Sequence, residues 1–267
     1  MFLINPDQIR RAALSAGIHQ NELSVPPILI MTFCTTIVEK LVLSCKMKEW
    51  FWIGSKFSPY SIPVQSFVGK HNRIPFVLIV PPMGASPLIS LCEEFIHFGT
   101  RAIFLLCASW SLGRKFLDNG EIHLPTMSIG FNGTSPHYGS SPERVSCELR
   151  GHAILKDSLE QTCSSWRSGA VGSCEALYRI TPELVADFRS MGCLSVDNGE
   201  TGALYSLGKE KDIPIGVLLQ PYLDLTEGWR VEYMNDTYKN TCLIQAQVVL
   251  NAIEQLVQDD ERLGTWF

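Results

Sequence analysis

Apolar and polar residues alternate along the chain in blocks that predict strands and helices in turn. Continuous apolar runs, typical of strands buried on both faces, lie at residues 28–33, 76–80, 102–107 and 215–219. Shorter apolar runs that also favour strands lie at residues 122–124 and 153–155. Apolar residues at helical spacing mark residues 6–17, 86–98, 182–191, 201–211 and 241–257. This alternation predicts an α/β protein with three layers, α/β/α, around a mixed central sheet.

One part of this pattern predicts a local topology. A strand at 76–80, a helix at 86–98 and a strand at 102–107 form a βαβ crossover, which predicts a parallel pairing of the two strands. The loop between the first strand and the helix, residues 81–87, lies where a βα unit brings a ligand to a helix N-terminus.

The chain carries no repeat and no long Pro, Gly or Ser linker. We therefore expect one domain over residues 1–267, with residues 1–25 as an N-terminal helical extension. A hydrophobic fraction of 46% with 18% charged residues fits a chain with a sizeable core.

Charge and cysteine usage limit the partners and the compartment. The formal net charge is −5 and no Lys/Arg block occurs, so we expect neither a nucleic-acid nor a membrane partner. Nine cysteines are scattered without a Cys-x-x-Cys pair, which indicates reduced core thiols and a reducing, cytoplasmic location. The N-terminal residues lack the order of a signal peptide, and no apolar run is long enough to span a membrane.

The six histidines show no ligand-like spacing with acids or thiols, so we predict no metal site and no cofactor. The chemistry-bearing residues instead gather in three short motifs. These are Gly133-Thr134-Ser135-Pro136-His137-Tyr138, Met83-Gly84-Ala85 and Gly199-Glu200-Thr201.

Read together, these motifs resemble the purine/uridine (nucleoside) phosphorylase superfamily, over roughly residues 28 to 257. The resemblance implies that Glu200 accepts hydrogen bonds from ribose hydroxyls and that Gly199 lies beneath the sugar. It implies an anion-binding turn at Gly84. We expect Glu200 and His137 to be the catalytic residues. The resemblance places further substrate-binding residues near the nucleoside at Thr134, Ser135, Tyr178 and Arg179.

Several positions depart from the family pattern, and most of them surround the expected phosphate site. The first glycine of the turn before the helix is Pro82, which has no N–H. Leu105 or Leu106 stands where the family has the arginine that binds phosphate. Ala108 or Ser109 replaces the threonine that follows it, and Trp110 or Ser111 replaces the next glycine. We predict that Ser109 and Trp110 bind the substrate. The aspartate that protonates purine bases is Gln220 or Pro221. Since a buried dianion needs a charged partner, these changes predict an impaired phosphate site.

The substitutions make the expected anion site apolar and partly aromatic, and Trp110 and Tyr222 are placed to stack on a substrate or on developing positive charge. Our leading interpretation is a divergent enzyme with a largely apolar pocket, repurposed for carbocation-like chemistry of the cyclase, isomerase or lyase type on a small hydrophobic molecule. Two alternatives stay open. One is a phosphorylase or nucleosidase that cleaves an N-glycosidic bond, and the other is a non-catalytic ligand-binding or storage protein.

The resemblance also bears on partners. It implies a small-molecule substrate and a homo-oligomer, either a dimer, a trimer or a hexamer, in which a neighbour completes each pocket.

Overall fold

The computed structural model describes residues 3–58, 63, 65–162, 165–226 and 230–259. Its described part contains seven α-helices: α1 Asp7–Ser15, α2 Thr35–Ser44, α3 Ala85–Phe98, α4 Leu149–Thr162, α5 Pro182–Ser190, α6 Glu200–Lys211 and α7 Asp236–Asp259. The strands of the first sheet are β1 Ile28–Thr32, β2 Lys48–Glu49, β3 Gln65–His71, β4 Ile74–Val80, β5 Ala102–Leu106 and β11 Ile215–Leu218. The strands of the second sheet are β6 Ser109–Ser111, β7 Ile122–Ile129, β8 Arg144–Ser146, β9 Trp166–Ser173, β10 Cys193–Asp197, β12 Pro221–Asp224 and β13 Arg230–Val231.

Both sheets are mixed. The first has the order β11-β5-β1-β4-β3-β2 and the second the order β13-β12-β6-β10-β9-β7-β8. Strands β11, β5, β1 and β4 run parallel, whereas β3 and β2 join antiparallel. An antiparallel bridge between His123 and Leu219 links the two sheets. The prediction of an α/β fold with mixed pairing is confirmed.

Helices cover both faces of the first sheet, as the alternating side chains of β1 show. Leu29 and Met31 join the apolar cluster that contains residues of α3 and α6. Ile28 and Ile30 point to the other face and join the cluster that contains residues of α2, α4 and α7. Because successive side chains of a strand point to opposite faces, this run of buried residues lies between two helical layers.

The crossover at residues 76–107 needs a correction. Strands β4 and β5 are parallel, as predicted, but they do not pair with each other. Strand β1 lies between them: Ile28 is the register partner of Phe76 in β4 and of Ala102 in β5. The crossover therefore skips one strand, a position that the strand–helix–strand pattern alone does not reveal.

The prediction of a strand at residues 153–155 is wrong, since these residues belong to α4. The buried residues of α4 follow helical spacing: Gly151, Leu155, Ser158 and Leu159. Three apolar residues in a row fit a helix as well as a strand. A Cβ on Gly151 would lie 2.3 Å from the Ile215 backbone, so α4 packs closely on β11 only because this residue is glycine.

The N-terminal segment packs onto the main core. Ile9 and Ala13 of α1 and Leu23 belong to the same apolar cluster as α3. A single domain over residues 1–267 stays a prediction. No helix in the described part of the chain has the length and apolarity needed to cross a membrane.

Candidate active site

One hydrogen bond joins the two helix starts that the sequence motifs mark. The Gly84 amide, just before α3, donates to Oε1 of Glu200 in the first turn of α6 over 3.0 Å, although the two residues are 116 positions apart. Asn198 Nδ2 donates to the same oxygen over 3.4 Å. A carboxylate in the first turn of a helix also interacts favourably with the helix dipole. Glu200 is therefore held by backbone and side-chain donors from two segments.

Both glycines beside Glu200 have backbone conformations that other residues rarely adopt. Gly84 has φ 104° and Gly199 has φ 90°, a region where a Cβ brings strain. At Gly199 space is short as well, because a Cβ there would lie 2.8 Å from Cγ of Glu175. Glycine at position 199 thus lets Glu175 pack directly over the start of α6.

A second carboxylate lies behind Glu200. Asp197, at the end of β10, accepts the Gly199 amide on Oδ1 and the Thr201 amide on Oδ2, both over 3.0 Å. Asp197 and Glu200 are each only 5% exposed. Burial, followed by repulsion from Asp197, raises the pKa of Glu200 to about 7. Burial also raises the pKa of Asp197. Glu200 can therefore exchange a proton near neutral pH, as an acid–base group must.

Asn132 ties the Gly-Thr-Ser motif to the Glu200 segment. Its Nδ2 donates to the Gly199 carbonyl over 2.6 Å. Its Oδ1 accepts the amides of Thr134 and Ser135 over 2.9 and 3.0 Å. The side chain is 1% exposed, so this clamp is shielded from water and keeps the motif next to the start of α6.

The motif and α3 border an open cavity of about 420 Å³. Its wall includes Ser86, Thr134, His137, Tyr138 and Glu175. Glu175 approaches the loop itself, because its Oε2 accepts the Gly133 amide over 3.4 Å. Ser135 does not line this cavity; its hydroxyl is buried and has no hydrogen-bond partner among the described residues. The cavity wall combines hydroxyls, an imidazole and a carboxylate.

The expected phosphate side of the site contains no guanidinium from β5. Leu105 packs into the apolar cluster on one face of the sheet and Leu106 into the cluster on the other. Next to them, burial raises the pKa of the Cys107 thiol, and the thiol also feels the charge of Glu200. The charge interaction that raises the pKa of Asp197 comes from Glu175, and the one that raises the pKa of Glu200 comes from Asp197. This region would therefore repel an added anion.

Two predicted binding residues line a different cavity. Trp110 and Tyr178 border a largely apolar space of about 490 Å³ that shares no lining residue with the first. Trp110 does not face the cavity beside the Gly-Thr-Ser motif. Its strand β6 pairs with β10, where Trp110 lies opposite Val196, and its side chain packs with α5. Tyr178 is 87% exposed.

The remaining predicted residues do not approach Glu200 through any described contact. Ser109 is buried and its hydroxyl donates to the Gln220 carbonyl over 3.5 Å. Tyr222 stacks on Tyr233 with ring centroids 4.2 Å apart. Arg179 ends a short 3-10 turn at Leu177–Arg179 and is exposed. The structure thus groups Gly84, Gly199 and Glu200 with the Gly-Thr-Ser motif, and leaves the aromatic residues elsewhere.

Sequence reasoning did not assign roles to Asn132 or Asp197. Asn132 directly precedes the Gly-Thr-Ser motif, and Asp197 ends a buried strand. A polar residue at such a position is a signal in the sequence that could have identified both as site residues. Among the described residues, no group of three or more His, Cys, Asp or Glu side chains is arranged to hold a metal ion.

Comparisons with known proteins identify the family of this chain. The model of the family described as Phosphorylase superfamily matches residues 63–244, more than half of the chain. The solved structure of purine nucleoside phosphorylase from Toxoplasma gondii in complex with immucillin-H matches with a TM-score of 0.76 and 15% identity, over 97% of this chain and 99% of that chain. No match was found among curated proteins. At this identity the structural likeness shows the fold, and the family model shows the membership. The chain therefore belongs to the phosphorylase superfamily.

Proposed function

We propose that this protein cleaves the N-glycosidic bond of a small nucleoside-like substrate with water, and not phosphate, as the nucleophile. The observation that carries the proposal is the hydrogen bond from the Gly84 amide to Glu200. A turn before a helix N-terminus is a natural anion site. Here the donor of that turn already binds a carboxylate of the protein itself.

Free phosphate would have to displace this carboxylate and then lie beside Asp197 and Glu200. Both acids are buried, and Leu105 and Leu106 supply no positive charge. Burying a dianion without a charged partner costs several kcal/mol. Water requires no such partner, so the loss of the arginine is compatible with hydrolysis and not with phosphorolysis.

Two cavity residues, His137 and Glu175, and the adjacent Glu200 can divide the work of this reaction. Ionised Glu200 accepts the sugar hydroxyls and stabilises the positive charge that develops at C1′ as the bond to the base breaks. The bonding electron pair leaves with the base nitrogen, which takes a proton from His137. The water oxygen bonds to C1′, and its proton passes to Glu175, which packs over Gly199.

The test is base release from a panel of inosine, adenosine, guanosine and uridine, measured in phosphate-free buffer and again in 10 mM phosphate. We expect the same initial rate in both buffers for the substrate that is cleaved. Glu200→Gln should lower the rate by about 100-fold or more. Glu210→Gln, on the exposed side of the same helix, is the matched control and should not. A rate that rises in proportion to phosphate would overturn the proposal.

A cyclase or isomerase acting on an apolar substrate is the second candidate. Trp110 in a largely apolar cavity of about 490 Å³ favours it, since an aromatic face can stabilise a carbocation. If no nucleoside is cleaved, native mass spectrometry of the purified protein tests this candidate. A co-purified terpenoid with a carboxylate, which could also pair with Arg189 in the same cavity, would support it.

A further inference from the structure

The cavity bordered by Trp110 has one charged residue in an otherwise largely apolar wall. It lies between α5 and the β6–β12 region of the second sheet and has a volume of about 490 Å³, within the range of small-molecule sites. Val185, Leu223 and Leu225 supply part of the apolar wall, and Arg189 of α5 borders the same space.

Arg189 is held in place at its inner end. Its Nε donates to the Leu112 carbonyl over 2.9 Å, and its guanidinium lies over the Phe116 ring, 5.7 Å from the centroid. These two contacts fix the plane of the guanidinium. A fixed guanidinium loses little freedom on binding a carboxylate, which it can hold with two parallel hydrogen bonds.

The outer end of Arg189 has no protein partner in the described part of the chain. No described carboxylate lies within ion-pair distance, and no described acceptor bonds its terminal amino groups. The nearby buried acid Asp224 is already engaged, because its Oδ1 accepts both the amide and the hydroxyl of Thr226. Among the described residues, this half-buried guanidinium beside an apolar cavity therefore has no counter-ion.

We propose that this cavity binds a small organic acid with an apolar body, its carboxylate on Arg189 and its body against Trp110. A neutral hydrocarbon would leave the guanidinium unpaired in the cavity, whereas a strongly polar anion would leave the apolar wall uncovered. An aromatic or branched carboxylic acid satisfies both. The proposal goes beyond cleavage at Glu200, since none of the residues that border this cavity belongs to the Glu200 cluster.

Isothermal titration calorimetry on the full chain tests it, with 4-phenylbutyrate and its neutral counterpart 4-phenylbutan-1-ol as probes. We expect the acid to bind about tenfold or more tightly than the alcohol, because a hydrogen-bonded charge pair forms. Arg189→Gln should weaken the acid by about 10- to 100-fold and leave the alcohol unchanged. Arg11→Gln removes a positive charge from α1, where Nε of Arg11 lies 2.8 Å from Asp7, and should have no effect.

Equal affinity for the acid and the alcohol would overturn the proposal, as would equal losses in the two arginine variants. Glu200→Gln should retain the affinity for 4-phenylbutyrate, and loss of binding in that variant would move the ligand to the Glu200 site and contradict the assignment. If circular dichroism shows that Arg189→Gln is unfolded, the ratio of acid to alcohol affinity in the wild type and the weaker binding expected of Arg189→Lys still decide the question.

Discussion

Replacing Gly199 by alanine tests the geometry around Glu200 most sharply, because two separate penalties apply there. The backbone has φ 90°, and a side chain in that region costs about 1–2 kcal/mol. The added Cβ would also lie 2.8 Å from Cγ and 3.1 Å from Oε1 of Glu175. Since Glu175 is exposed, its side chain can shift away from the new Cβ, which costs about 0.5–1.5 kcal/mol more. The sum is about 1.5–3.5 kcal/mol of unfolding free energy.

A matched glycine separates the two penalties. Gly192 has φ 79° and no atom within 4 Å of the position that a Cβ would take, so Gly192→Ala should show the backbone cost alone. Removing Cγ of Glu175 should relieve the second penalty. When Glu175 is already alanine, Gly199→Ala should therefore lower the free energy of unfolding by no more than Gly192→Ala does.

Urea denaturation of the two single glycine variants, of Glu175→Ala and of the Gly199→Ala/Glu175→Ala double variant measures these differences. The double-variant cycle should give a coupling of about 0.5–1.5 kcal/mol between positions 175 and 199. Equal losses in Gly199→Ala and Gly192→Ala, or no coupling to Glu175, would refute the packing of Glu175 over the start of α6.

Three further predictions follow from the same structure. Because burial raises the pKa of Glu200, the folded chain keeps a proton that the unfolded chain releases, and the stability that this proton adds is complete below pH 4.5 and is lost as the pH rises to about 7. Over this interval the free energy of unfolding should fall more in the wild type than in Glu200→Gln, by on the order of 3 kcal/mol in total. Equal slopes in the two proteins would contradict the argument that burial raises this pKa. Asn132→Ala removes two buried hydrogen bonds and one partly buried one. It should lower the free energy of unfolding by about 2–4 kcal/mol, measured by urea denaturation, and should also lower kcat, measured as base release. An unchanged kcat would show that the clamp does not position the site. Light scattering should give two, three or six times the chain mass of 29.8 kDa. A mass equal to that of one chain would contradict the expected homo-oligomer.

The sequence predicted elements well where one pattern was long and uninterrupted. The five buried residues of β1 and the apolar face of α3 each left one interpretation. Strand β6 was not predicted from the sequence, because its three residues, Ser109, Trp110 and Ser111, are too few to show a periodic pattern. The segment at 153–155 failed for the same reason and belongs to a helix.

For the candidate site, the sequence did not predict on which face of a strand or helix each side chain lies. The motifs at Gly84 and Glu200 meet in the structure, but nothing local in the sequence states that the Gly84 amide binds Glu200 itself. Trp110 is one residue from Ser109 and Ser111, yet it alone packs with Val196 and α5, because alternate residues of a strand point to opposite faces. That face depends on the pairing of β6 with β10, a contact between residues 85 or so positions apart in the chain.

The most direct measurement for the central claim is the fate of the sugar when both nucleophiles compete. The protein is incubated with the substrate that it cleaves in ¹⁸O-labelled water containing 10 mM phosphate, and the sugar product is analysed by mass spectrometry. Because the Glu200 carboxylate already binds the Gly84 amide, the account predicts free sugar and no sugar 1-phosphate. A sugar 1-phosphate without the label would contradict it.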